Sequence, residues 1–160
     1  MITAATRSVD DTRALAAGIA GLAAPGDLIV LAGDLGTGKT AFAQGFAQGL
    51  GVEEPVTSPA FVLVRTYEGR LPMVHLDVYR LDHMQELVDL GIAEMLDEGA
   101  VTLVEWGDAV TPALPSDFLE VRLEADGSPD DRLLTIRSVG PGWPPRAAAL
   151  RRVVGPWARS

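Results

Sequence analysis

The chain has 160 residues, 48% hydrophobic and 22% charged, which suits one globular domain with a real core and excludes a disordered segment. Cysteine is absent and the only histidines are His75 and His83, which excludes a disulfide framework, a thiolate metal site and a histidine-rich metal centre. The net charge of −9 is uneven: residues 1–139 hold nine basic against 22 acidic residues, a balance of −13, whereas residues 140–160 hold four arginines and no acid. So acidic a body binds a phosphate backbone poorly, and any nucleic acid is expected to be held by a partner protein.

Ile2 to Arg7 is expected to form a short edge strand. Ser8 or Asp10 then caps a helix over Thr12 to Ala23, with Leu15, Ile19 and Leu22 at helical spacing, ended by Pro25-Gly26-Asp27. The first twelve residues carry Arg7, Asp10 and Asp11 and no long apolar run, so no signal peptide is expected. Residues 14–33 are apolar but broken by Pro25, Gly26 and Asp27, so they do not read as a membrane span. A cytoplasmic location is the simplest reading.

Leu28-Ile29-Val30-Leu31-Ala32 reads as a short buried strand, and Ala41 to Leu50 as a helix stopped at Gly51. Between them Gly33-Asp34-Leu35-Gly36-Thr37-Gly38-Lys39-Thr40 fits G-x-x-x-x-G-K-[ST], the phosphate-binding P-loop. Backbone N–H groups must converge on phosphate oxygens, and Gly33, Gly36 and Gly38 keep the loop bare and allow positive φ. The following helix points its positive end at the anion. Lys39 can reach the β- and γ-phosphates, and the Thr40 hydroxyl can bind Mg²⁺. The nucleotide is therefore expected against Gly36, Thr37, Gly38, Lys39, Thr40 and Ala41. Asp34 is expected to point away from the phosphates it would repel.

Val52 to Pro55 reads as a turn. Phe61 to Tyr67 and Pro72 to Tyr79 read as an antiparallel hairpin about Glu68-Gly69-Arg70. Gln85 to Leu96 reads as a helix slightly weakened by Gly91, and Val101 to Glu105 as a buried strand ending in a carboxylate. Pro112 and Pro115 mark a loop. Phe118 to Glu124 and Arg132 to Arg137 alternate as strands joined by a long turn over Ala125 to Asp131. Residues 1–139 are expected as the P-loop domain. Residues 140–160, rich in Pro, Gly and Arg, are expected as a loosely attached tail with Trp143 and Trp157 as docking points. The expected fold is α/β: a P-loop NTPase-like three-layer sandwich on a mixed sheet, parallel at the centre with antiparallel hairpins at the edges.

Mg²⁺ at a P-loop is normally held by the loop Thr and a strand-end carboxylate. Val101–Glu105 is the cleaner apolar run with a terminal acid, so Glu105 is favoured as metal ligand beside Thr40, directly or through water. Asp77, at the end of the other candidate strand, could orient the attacking water or bond to a metal-bound group. His75 reads as a packed histidine before a ligand or base, and Trp106 as core or as a cover for the nucleotide.

Several motifs stand in order: the P-loop, Val56-Thr57-Ser58-Pro59-Ala60-Phe61, His75-Leu76-Asp77-Val78-Tyr79-Arg80-Leu81 and Val104-Glu105-Trp106. Together they resemble the bacterial TsaE (YjeE) family, over about residues 8–140. The resemblance implies a P-loop ATPase needed to make threonylcarbamoyladenosine beside the anticodon of tRNA. It implies TsaB and TsaD as partners, TsaC as supplier of the activated threonylcarbamoyl group, and tRNA reached through the complex. ATP hydrolysis would reset the complex between turnovers. By the same resemblance Thr40 and Glu105 are the Mg²⁺ ligands, Asp77 is an essential strand acid, Ser58 to Phe61 is a switch-like loop, and Thr12 and Arg132 flank the adenine. Ala60 stands where the family usually has Thr, which removes a hydroxyl from that loop.

Lys39, Asp77 and Glu105 are thus the expected catalytic residues, with ATP and Mg²⁺ as cofactors. ATP is favoured over GTP because the Asn/Thr-Lys-x-Asp motif of guanine-specific P-loop proteins is missing. No arginine finger is obvious; Arg80 is the nearest by motif, so slow hydrolysis without partners is expected. Two other readings are a small-molecule kinase and a non-hydrolysing, nucleotide-gated assembly factor. The first lacks an arginine-bearing lid; the second differs only in turnover.

Overall fold

The computed structural model describes residues 1–34, 36–57, 64–77, 91–105 and 114–159. They form strands β1 (Ile2–Thr6), β2 (Leu28–Ala32), β3 (Val64–Glu68), β4 (Pro72–Asp77), β5 (Val101–Glu105), β6 (Phe118–Asp126) and β7 (Ser128–Val139). The helices are α1 (Val9–Ala20), α2 (Lys39–Gly49), α3 (Ile92–Asp97) and α4 (Ala147–Val154). Residues 58–63, 78–90 and 106–113 lie outside the described residues. With them lie the expected switch-like loop with Ala60, Arg80, His83, the front of the Gln85–Leu96 helix and Trp106.

The strands form one sheet in the order β1-β7-β6-β2-β5-β4-β3. The central strands β6, β2, β5 and β4 run parallel, while β6/β7, β7/β1 and β4/β3 pair antiparallel. All five residues of β2 and all five of β5 are buried, as a parallel centre covered on both faces requires. Ile29 and Leu31 of β2 face the core formed with Leu15 and Ile19 of α1 and Phe42 and Phe46 of α2. Leu28 and Val30 face the opposite layer with Val74, Leu76 and Val104, against which Met95 and Leu96 of α3 pack. Each fully buried side chain of this size contributes about 1.5–3 kcal/mol, and the sandwich has the expected three layers.

Local chemistry sets the element ends. The Ser8 hydroxyl accepts from the Asp11 N–H at 3.0 Å, so α1 starts at Val9, three residues before the expected start at Thr12. Asp10 and Asp11 stand in its first turn, where negative charge is favoured. Gly91 has φ 70° and is the N-cap of α3, so α3 takes up only the part of the expected helix that follows Gly91, while residues 85–90 lie outside the described residues. The turn between β6 and β7 is shorter than expected, at Gly127 (φ 82°), because both strands continue through the exposed polar residues 126–131. No apolar alternation signals a strand there.

The C-terminal segment is not a loose tail. Trp143, Leu150 and Val154 are buried in the same core as α1 and α2. Arg146 lies 3.8 Å over the Trp143 ring, grips Asp27 through two nitrogens at 2.6 and 2.9 Å, and donates to Leu22 O. Ala158 bridges Ala4 of β1 and the Arg159 N–H donates to Thr3 O. Proline and glycine content suggested looseness; the apolar spacing of Trp143, Leu150 and Val154 decides the outcome. Among the described residues no helix is long and apolar enough to cross a membrane.

Candidate nucleotide-binding site

The site begins where β2 ends. Gly33 has φ 145°, and a Cβ there would overlap Leu123 O and lie 2.7 Å from Thr37 Oγ1. Thr37 is buried, and its hydroxyl donates to Asp34 O at 2.7 Å, which closes the turn. Asp34 is exposed and contributes its carbonyl. Gly38 has φ 103° and is the N-cap of α2 with no side-chain cap. The first-turn N–H groups of Lys39, Thr40 and Ala41 have no partner inside the helix. Whereas Ser8 caps α1, this terminus has no side-chain cap, which suits an anion site.

Lys39 is 5% exposed, and its Nζ donates to Gly33 O at 2.7 Å and Asp34 O at 2.9 Å. The ammonium is thereby held over the loop. Parallel pairing brings the acids here: Glu105 is the register partner of Leu31 on β2 and of Asp77 on β4. Both acids therefore stand at carboxyl ends of adjacent parallel strands, where ligands of such sheets bind. Thr40 Oγ1 donates to Glu105 Oε1 over 3.4 Å. His75 Nε2 bonds the other carboxylate oxygen, Oε2. His75, Asp77 and Glu105 are all buried, at 0%, 6% and 3% exposure. Two buried carboxylates on neighbouring strands repel each other, and a divalent cation beside them offsets that cost.

The donor set fits Mg²⁺: a hydroxyl and a carboxylate oxygen already side by side, hard oxygens without sulfur or imidazole in direct line. Phosphate fits the bare loop: Gly33 leaves no room for a Cβ, and Gly36 and Gly38 hold positive φ that side chains rarely adopt.

Arg132 of β7 reaches the loop from the opposite side. Its Nε donates to Thr37 O at 3.0 Å and its Nη2 to Gly36 O at 3.3 Å, while Nη1 donates to Pro129 O and Asp131 O. A planar trans peptide has its C=O and N–H opposed, so holding Thr37 O turns the Gly38 N–H away from Arg132. Thr12 is buried, and its hydroxyl pairs with Thr6 Oγ1 at 2.8 Å and with Ser8 O, rather than with the loop. Thr6 is in turn the register partner of Arg132. The structure thus gathers Gly36, Thr37, Gly38, Lys39, Thr40, Ala41, Asp77, Glu105 and Arg132 about one loop, and sets Thr12 behind them. The bond from His75 to Glu105 was not foreseen; a histidine two residues before a strand-end acid, on the same strand face, is the only signal the sequence holds for it.

Residues 6–133 match the family model described as "Threonylcarbamoyl adenosine biosynthesis protein TsaE". The chain is 41% identical over 136 residues to the tRNA threonylcarbamoyladenosine biosynthesis protein TsaE of Bacillus subtilis, spanning 84% of each chain. It is 42% identical over 143 residues to the protein of that name from Mycobacterium tuberculosis, spanning 83% of this chain and 84% of the relative. The crystal structure of YdiB from Bacillus subtilis superposes with a TM-score of 0.78 at 34% identity, over 98% of this chain and 97% of that one. With matches of this extent to both sequence and fold, the chain belongs to the TsaE family.

Proposed function

We propose that this chain is a Mg²⁺-dependent ATPase subunit of the machinery that makes threonylcarbamoyladenosine beside the anticodon of tRNA. It works in the cytoplasm with TsaB and TsaD, and meets tRNA through their complex. The observation that carries this reading is the pairing of Thr40 with Glu105 at the open N-terminus of α2. The relatives named tRNA threonylcarbamoyladenosine biosynthesis protein TsaE support the pathway, and the acidic body supports a protein partner over direct RNA contact.

In this reading the backbone N–H groups from Gly36 to Ala41 hold the phosphates and Lys39 neutralises the β- and γ-oxygens. Thr40 and Glu105 would hold Mg²⁺, which would supply further charge neutralisation. Asp77 orients the attacking water. Arg132 borders the adenine side, and the Thr12–Thr6 pair supports it from behind. Positioning and charge stabilisation make up almost all of such catalysis. No arginine finger is assigned within the chain, so partners are expected to raise a slow basal rate.

ATP turnover by the purified chain tests this, alone and with its cognate TsaB and TsaD. Stimulation by the partners, reduced at least about 100-fold in Glu105→Ala, is expected. ATP binding without turnover in any mixture would instead mean a nucleotide-gated assembly factor. A phosphorylated small molecule formed from ATP would mean a kinase.

A further inference from the structure

We propose that His75 is a positioning residue: its imidazole fixes the rotation of the Glu105 carboxylate and so sets the affinity of the site for a divalent cation. This rests on Thr40 and Glu105 being the Mg²⁺ ligands. A glutamate carboxylate on the end of three rotatable bonds offers either oxygen to a cation. Here Oε2 is taken by His75 Nε2, and Oε1 is left facing Thr40 Oγ1. Because an ionised carboxylate only accepts, the ring nitrogen at this contact is the N–H donor.

Packing alone does not account for a histidine here. The side chain is fully buried on a sheet face whose next inward residue on the same strand is Met73. Burying an imidazole in such a layer is costly unless its polar atoms are bonded, and an aliphatic side chain would fill the space without that cost. Among the described residues its Nδ1 has no hydrogen-bond partner, and Glu105 is the one polar group the ring engages. Among the described residues the ring's single link ends on the carboxylate beside Thr40. Groups that orient a metal's carboxylate typically change metal affinity or activity about 10- to 100-fold when removed.

The test is binding of fluorescent N-methylanthraniloyl-ADP to the full chain, in EDTA and across a Mg²⁺ series. His75→Asn places its amide too short to reach Glu105, whereas the His75→Gln amide extends about as far as Nε2. For H75N the half-saturating Mg²⁺ concentration is expected to rise at least about tenfold, with affinity in EDTA unchanged. H75Q is expected to stay near wild type. Circular dichroism checks the fold; should H75N not fold, H75L restores the buried volume without a donor and carries the same expectation. A folded H75N or H75L with wild-type Mg²⁺ dependence would overturn the proposal. So would an equal loss of affinity with and without Mg²⁺, which marks a merely structural role. If the wild type itself binds no tighter with Mg²⁺, the assignment of Thr40 and Glu105 as ligands fails instead.

Discussion

Arg132 and Thr40 act on the same loop in different ways. Arg132 donates to four backbone carbonyls, two of them in the loop, so it shapes the phosphate cradle whether or not a cation is bound. Thr40 offers one hydroxyl beside Glu105. Hydrogen bonds from a charged donor contribute about 1.5–3 kcal/mol. Arg132→Ala is therefore expected to weaken ADP binding roughly 10- to 100-fold, equally in Mg²⁺ and in EDTA. Thr40→Val is expected to lose only the part of the affinity that depends on Mg²⁺. Calorimetry of both variants separates them, and an Arg132→Ala defect confined to Mg²⁺ would count against the brace. The loop residues were legible because the motif depends on consecutive letters. The contacts of Arg132 and His75 were not, because their partners lie 95 and 30 positions away and only the strand order brings them together.

The helices carrying the loop are held by residues with no side chain. A Cβ at Gly45 would overlap Arg13 O, and one at Gly49 would lie 2.7 Å from Ala20 Cβ. Glycines one turn apart on α2 thus let its backbone touch α1. Gly45→Ala gains about 1 kcal/mol in helix propensity, but overpacking costs about 1–3 kcal/mol. The obstacle is backbone, so the upper end applies and the overlap wins. Melting by calorimetry is expected to show Tm lower by about 4–8 °C; an unchanged or raised Tm would contradict so close a contact. At the far end of the helices, the Arg70 N–H donates to Leu50 O after α2, and its Nη2 donates to Ala20 O at the end of α1 and Ala23 O beyond it. The hairpin that leads into β4 thereby also fixes the helix ends. Hydrophobic period and turn residues made the hairpin, both N-terminal helices and the strands readable. They gave no sign that Gly45 marks a helix contact, because a glycine within a helix pattern reads only as a weakness.

The chain folds back on itself at both ends of its sequence. The C-terminal segment, expected as a loosely attached tail docked through Trp143 and Trp157, is fixed more firmly: Arg146 locks onto Asp27 and Trp143, and Ala158 meets the outer edge of β1. The positive segment so neutralises part of an acidic body and covers a sheet edge that would otherwise be open to pairing. Arg151 and Arg152 remain exposed on α4. The glycine loop lies where α2 points at the carboxyl ends of β2, β5 and β4. In the proposed reading this site drives a larger assembly and does not modify the tRNA itself. The most direct measurement is therefore made on product: threonylcarbamoyladenosine formed per TsaB–TsaD complex, with TsaC, tRNA and ATP supplied, counted by mass spectrometry of the digested tRNA. With the wild-type chain, product is expected to exceed the complex many times over, and with Glu105→Ala to stop near one per complex. Equal, repeated turnover with Glu105→Ala would contradict ATP hydrolysis at this loop as the step that renews the complex.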